Sequence, residues 1–86
     1  MADYTILVAR SSQKELESLP LPVIKRIAAK IDGLVQQPRP AGCRKLRDEN
    51  NLWRIRIGDY RVIYEIDDAR RIVAIRAVRH RREAYD

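Results

Sequence analysis

The chain opens on a run of β-branched and apolar residues, Tyr4, Thr5, Ile6, Leu7, Val8 and Ala9, which predicts a strand. Ser11 and Ser12 interrupt the run. Ser12 and Glu15 have the spacing of a capping box, which predicts that a short helix starts at Ser12. Leu16 and Leu19 fall on one side of it and Pro20 ends it. Pro22 then takes a first-turn position in a second helix, where its missing N–H costs nothing. Ile24, Ile27, Ala28, Ile31, Leu34 and Val35 follow at helical spacing, with Lys25, Arg26, Lys30 and Asp32 on the other side. Pro38 and Pro40 close this helix. The two helices form a hairpin with one apolar stripe.

From Ala41 onward the period changes to that of strands. Residues 43–46 predict a short strand and residues 48–51 a turn. Residues 52–57 and 60–66 alternate, and Gly58-Asp59 between them is a two-residue hairpin turn. Residues 67–70 read as a loop, 71–78 as the last strand and 79–86 as a polar tail. The expected fold is α+β: an N-terminal strand, a helical hairpin, then three to four antiparallel strands, with the helices packed on one face of the sheet. The whole chain, 1–86, is expected to form a single domain.

The turn at Gly58-Asp59 sets the register of its hairpin. It places Ile57 opposite Tyr60, Arg56 opposite Arg61, Ile55 opposite Val62, Arg54 opposite Ile63 and Trp53 opposite Tyr64. Side chains alternate across a sheet. One face then carries Trp53, Ile55, Ile57, Tyr60, Val62, Tyr64 and Ile66 and should pack on the helices. The other carries Arg54, Arg56 and Arg61 with Ile63 and Glu65. Like charges in facing positions cost roughly 0.2–1 kcal/mol. For one pair, long side chains splaying into water account for the arrangement. Three arginines on one face of one hairpin point to a bound anion. The last strand can add Arg76 to this face, depending on how the preceding loop is built.

Charge carries the same message. The formal net charge is +6, and twelve of the 18 Lys and Arg residues lie between Arg44 and Arg82, all of them Arg except Lys45. Arginine is favoured over lysine where planar, bidentate contact with phosphate is wanted. The partner is expected to be polyanionic: nucleic acid, an acidic protein, or both in turn. No apolar run is long enough to span a bilayer, and the acidic start at Asp3 does not read as a signal peptide. Cys43 is the one cysteine and His80 the one histidine, so an intrachain disulfide is excluded and a structural zinc site is not expected. No metal or cofactor is expected, and the cytoplasm is the expected compartment. In the tail, His80 and Tyr85 are the groups best able to move protons, since arginine stays protonated.

The string from Trp53 to Asp68, WRIRIGDYRVIYEIDD, followed by VRHRREAY from Val78 to Tyr85, resembles the RelE/ParE toxin superfamily, and the likeness runs over nearly the whole chain. The resemblance implies a toxin of a type II toxin–antitoxin system. On the RelE branch it implies a ribosome-dependent endoribonuclease that cleaves messenger RNA by 2′-OH attack without a metal. It implies Arg61, Arg81, Tyr85 and His80 as catalytic residues, with Arg54, Arg56, Arg76 and Lys45 binding RNA. Partners would be the ribosome, messenger RNA and an acidic, RelB-like antitoxin through which the complex binds operator DNA. Two departures stand out. Some relatives have lysine where this chain has Arg54 and Arg56, and the usual glycine before the histidine is Arg79. A ParE-like inhibitor of DNA gyrase acting by protein–protein contact, and a non-catalytic nucleic-acid-binding module, are the alternatives.

Overall fold

A computed structural model of the protein describes residues 3–46 and 51–82. Its element order is β1 (Thr5–Val8), α1 (Arg10–Glu17), α2 (Leu21–Gly33), β2 (Arg44–Lys45), β3 (Leu52–Ile57), β4 (Tyr60–Asp67) and β5 (Ile72–His80). The strands form one sheet in the order β1-β5-β4-β3-β2. Strands β2 to β5 are antiparallel and β1 joins β5 in parallel. This is the expected α+β arrangement, with helices and a mixed sheet sharing one core.

The β3–β4 hairpin has the register that the Gly58-Asp59 turn predicts, from Ile57 opposite Tyr60 to Trp53 opposite Tyr64. Gly58 has φ 59°, a left-handed conformation that suits glycine. Ile55, Ile57, Val62, Tyr64 and Ile66 are buried against Ile27, Ile31 and Leu34 of the helical layer, with Val73, Ile75 and Val78 from β5. Each such aliphatic side chain stabilises the fold by about 1.5–3 kcal/mol when fully removed from water. Tyr64 is wholly buried and its hydroxyl donates to the Pro38 carbonyl at 2.7 Å. Burial, then the neighbouring Cys43, pushes its pKa up.

Three features differ from expectation. Helix α1 begins at Arg10, two residues before Ser12, and its N-cap Ala9 makes no side-chain cap. Ser12 and Glu15 therefore form no capping box; both turn to β5. Strand β1 accompanies β5 only as far as Ile75, so the rest of β5 would be a bare edge. Ser12 Oγ donates to the Ile75 carbonyl at 3.2 Å, and Glu15 accepts the Val78 N–H at 3.0 Å. The Glu15 bond gives the Val78 N–H a partner where β1 no longer runs beside β5, and Ser12 adds a second donor to the Ile75 carbonyl, which also accepts the Ala9 N–H. Helix α2 stops at Gly33, before Pro38 and Pro40, with Leu34 as its C-cap.

The third difference is in β5. It runs to His80, so Arg79 and His80 are strand residues and not tail. Tyr64 pairs with Ile75 and Ile63 with Ala77, leaving Arg76 as the extra residue of a bulge. The bulge shifts the alternation by one. Ile75 and Val78, three apart, are thereby both buried, and every residue after the bulge lies on the face opposite to the one strict alternation assigns. The turn read over 48–51 falls largely outside the described residues, as does Tyr85.

Candidate nucleic-acid interface

Pairing across four strands lines up the basic side chains. Arg56 faces Arg61 across β3–β4, and Arg61 faces Arg79 across β4–β5. One step from the turn, Arg44 faces Arg54, which faces Ile63. Among the described residues, the face away from α2 thus holds a row, Arg56-Arg61-Arg79, flanked by the pair Arg44-Arg54. Exposure differs within the group: Arg56 and Arg44 are exposed, Arg61 is half-buried, and Arg54 is 4% exposed. At that depth Arg54 presents almost no surface to a ligand, contrary to the expectation that it contacts RNA directly, and its charge acts from beneath Arg44 and Arg56.

The remaining candidates are placed as follows. Arg81 follows β5; its N–H donates to the Asp59 carbonyl at 2.7 Å and its guanidinium lies 3.8 Å from the Asp59 carboxylate. It is thereby tied to the turn at the end of the arginine row. Arg76, in the bulge, pairs with Glu65 at 3.3 Å, on the same face but further from the turn. Lys45 pairs with Trp53 and shares its face, opposite to the row, because Arg44 takes the position facing Arg54. His80 faces Tyr60, with the ring centroids 5.2 Å apart and the rings edge to face. The bulge accounts for this: it sends Arg79 to the arginine row and His80 to the opposite face. The His80 Nδ1 accepts the Arg82 N–H at 3.2 Å. Tyr85 lies outside the described residues.

Two members of the basic face, Arg44 and Arg79, are absent from the reading of the sequence. Arg79 was hidden in a run of charge that resembles a tail. The signal that reveals it is Val78, an apolar residue that extends the strand past the bulge to pair with Val62. Arg79 leaves the row at the free edge of β5, where its guanidinium forms an ion pair with Glu15. Among the described residues no group of His, Cys, Asp or Glu is placed to hold a metal ion, and no helix is long and apolar enough to cross a membrane.

The fold and its basic sheet face define a class of small α+β toxins. Residues 6–85 match the family model described as the ParE toxin of the type II toxin-antitoxin system parDE. The chain belongs to this family, within the RelE/ParE toxin superfamily, and is a toxin of the type II toxin–antitoxin class. Among solved structures, it is similar to a chain of the archaeal RelE–RelB complex from Pyrococcus horikoshii, with 30% identity, a TM-score of 0.83, and coverage of 94% of this chain and 98% of that one. It is also similar to a chain of the toxin–antitoxin complex RelBE2 from Mycobacterium tuberculosis, at 27% identity and a TM-score of 0.81, covering 92% and 99% of the two chains. A YoeB/ParE toxin from Agrobacterium tumefaciens shares the fold at 17% identity and a TM-score of 0.76, over 88% of this chain and 96% of that one. No curated protein matches the chain by sequence.

Proposed function

We propose that this toxin is a ribosome-dependent endoribonuclease that cuts messenger RNA. The observation that carries the reading is the concentration of guanidinium groups where Arg56 faces Arg61, with Arg44, Arg54 and Arg79 on neighbouring strand positions of the sheet face away from α2. Such a cluster attracts polyanions, and an RNA backbone supplies anions at regular spacing. The 2′-OH attacks the adjacent phosphorus in line. The product ends are a 2′,3′-cyclic phosphate and a 5′-OH. Negative charge builds on the non-bridging oxygens, and Arg61 and Arg81 stabilise it electrostatically. Arg56 holds the flanking backbone, with the Arg54 charge beneath it and Arg76 at the margin. Of the two proton-transfer candidates, His80 faces Tyr60 on the other side of the sheet, so Tyr85 is assigned both transfers: it takes the proton from the 2′-OH and passes it to the 5′ oxygen as the P–O5′ bond breaks. The ribosome would supply an oriented substrate, which a face this shallow lacks.

An acidic, RelB-like antitoxin is the proposed inhibitor, since the similar chains from Pyrococcus horikoshii and Mycobacterium tuberculosis come from toxin–antitoxin complexes. Operator binding by the pair would run through the antitoxin. The test is primer extension on messenger RNA with and without ribosomes, for the wild type, Arg61→Ala, His80→Gln and Tyr85→Phe. Cut ends that require ribosomes and vanish in Arg61→Ala and Tyr85→Phe are expected. Full cutting by Arg61→Ala removes the mechanism. The second reading, contact inhibition of DNA gyrase, is favoured by the family model itself, which describes a ParE toxin. DNA breaks with translation running normally would establish it instead.

A further inference from the structure

At the edge of the sheet where Arg79 turns away from the row, α1 and the end of β5 enclose an open cleft of about 480 Å3, walled by Glu15, Ser18, Tyr60, Arg79, His80 and Arg82. Small-ligand sites have volumes of roughly 300–1,000 Å3. The cleft's chemistry is mixed in a specific way. Tyr60 and His80 are half-buried and hold each other edge to face, so a flat ring can lie against them. Arg82 is exposed at the rim. Glu15 is about three-quarters covered, with 24% of its side chain exposed. One of its oxygens accepts the Val78 N–H and the other meets Arg79. A carboxylate oxygen accepts more than one hydrogen bond, so the exposed part of Glu15 can still take N–H donors from a ligand.

We propose that this cleft binds a guanine nucleotide, its base against Tyr60 and His80 and its phosphate toward Arg82. A carboxylate recognises a pair of adjacent N–H donors through its two oxygens. Guanine presents such a pair, the ring N1–H and the exocyclic amino group, on one edge. Adenine, cytosine and uracil each place an acceptor beside their donor there, which would face the Glu15 carboxylate in repulsion. The nucleotide can come from a single-stranded RNA or from the free pool. Arg79 belongs both to the arginine row and to the wall of the cleft, so a chain lying on the row passes beside the cleft.

The test is titration of the full chain with guanosine and adenosine monophosphates, followed through the NMR shifts of the His80 ring. A saturable shift is expected with the guanine nucleotide, with adenosine monophosphate weaker by roughly 5- to 150-fold, the worth of a good paired contact to a base edge. Glu15→Gln retains an acceptor for the Val78 N–H and should abolish the preference. Arg82→Ala, an exposed change, should weaken both nucleotides. An unperturbed His80, equal affinity for the two nucleotides, or a preference that survives Glu15→Gln overturns the proposal. Displacement of bound guanosine monophosphate by a guanine-containing oligoribonucleotide, and not by oligouridine, assigns the site to a strand. Failure of both to displace it assigns the site to free nucleotide. The readout needs no RNA cutting, so it stands or falls separately from the nuclease reading.

Discussion

Replacing Arg61 with methionine keeps an unbranched stem of similar reach and removes the charge. Arg61 faces Arg56 on one side and Arg79 on the other. Arg79 is compensated by its ion pair with Glu15, so the repulsion relieved is that of the Arg56–Arg61 pair, roughly 0.2–1 kcal/mol. For a domain of this size 1 kcal/mol is worth about 4–8 °C in midpoint, which puts the expected rise at roughly 1–8 °C. Toxicity should be lost in the same protein. The assay is thermal unfolding at low and at high salt beside a growth test. Salt near 1 M shrinks the screening length to about 3 Å, so the gap between variant and wild type should narrow as salt is raised. A midpoint that falls by several degrees at low salt, or a gap that ignores salt, refutes the view that this row is held at an electrostatic cost.

Other expectations follow from the same geometry. Ser12→Ala removes a buried bond to the Ile75 carbonyl, which keeps a second donor in the Ala9 N–H at 3.1 Å; urea unfolding should show a loss of about 0.5–1.5 kcal/mol, toward the lower end. Gly58→Ala places a Cβ 3.2 Å from the Arg26 guanidinium at φ +59°. The flexible arginine can move but the backbone strain remains, so about 1–2 kcal/mol should be lost. Hydrogen bonds from Arg39 and Tyr4 lower the Asp68 pKa from 3.8 to about 2. A carboxyl held below its unfolded value stabilises the fold above the unfolded pKa and loses that contribution as pH falls toward the folded one. Acid titration of unfolding should therefore show Asp68→Asn less stable than wild type at neutral pH, with the difference shrinking between about pH 4 and 2.

The hairpin was legible because everything that sets it is local. A two-residue turn at Gly58-Asp59 and strict alternation on both arms lead directly to the Arg56–Arg61 pairing. What was not legible depends on partners far away in the chain. Ser12 and Glu15 have the spacing of a helix cap, yet they serve β5 residues 63 positions on, and no local pattern reveals that competition. The bulge at Arg76 is equally hidden, because an extra residue is defined only against the partner strand. Its consequence is large for the site: one shift exchanges the faces of Arg79 and His80. Lys45 lies away from the arginines for a similar reason, the register of the two-residue strand β2 being set by pairing with β3.

The parallel seam between β1 and β5 joins Thr5 to Ile72, residues far apart in sequence. A growing polypeptide cannot close that seam until β5 has left the exit tunnel, because domains fold as units and distant pairings wait for their second partner. Arg79 lies near the end of β5. The basic face therefore gains Arg79 only after β5 has emerged, and a chain made no further than β4 exposes an incomplete surface to the machine that is making it.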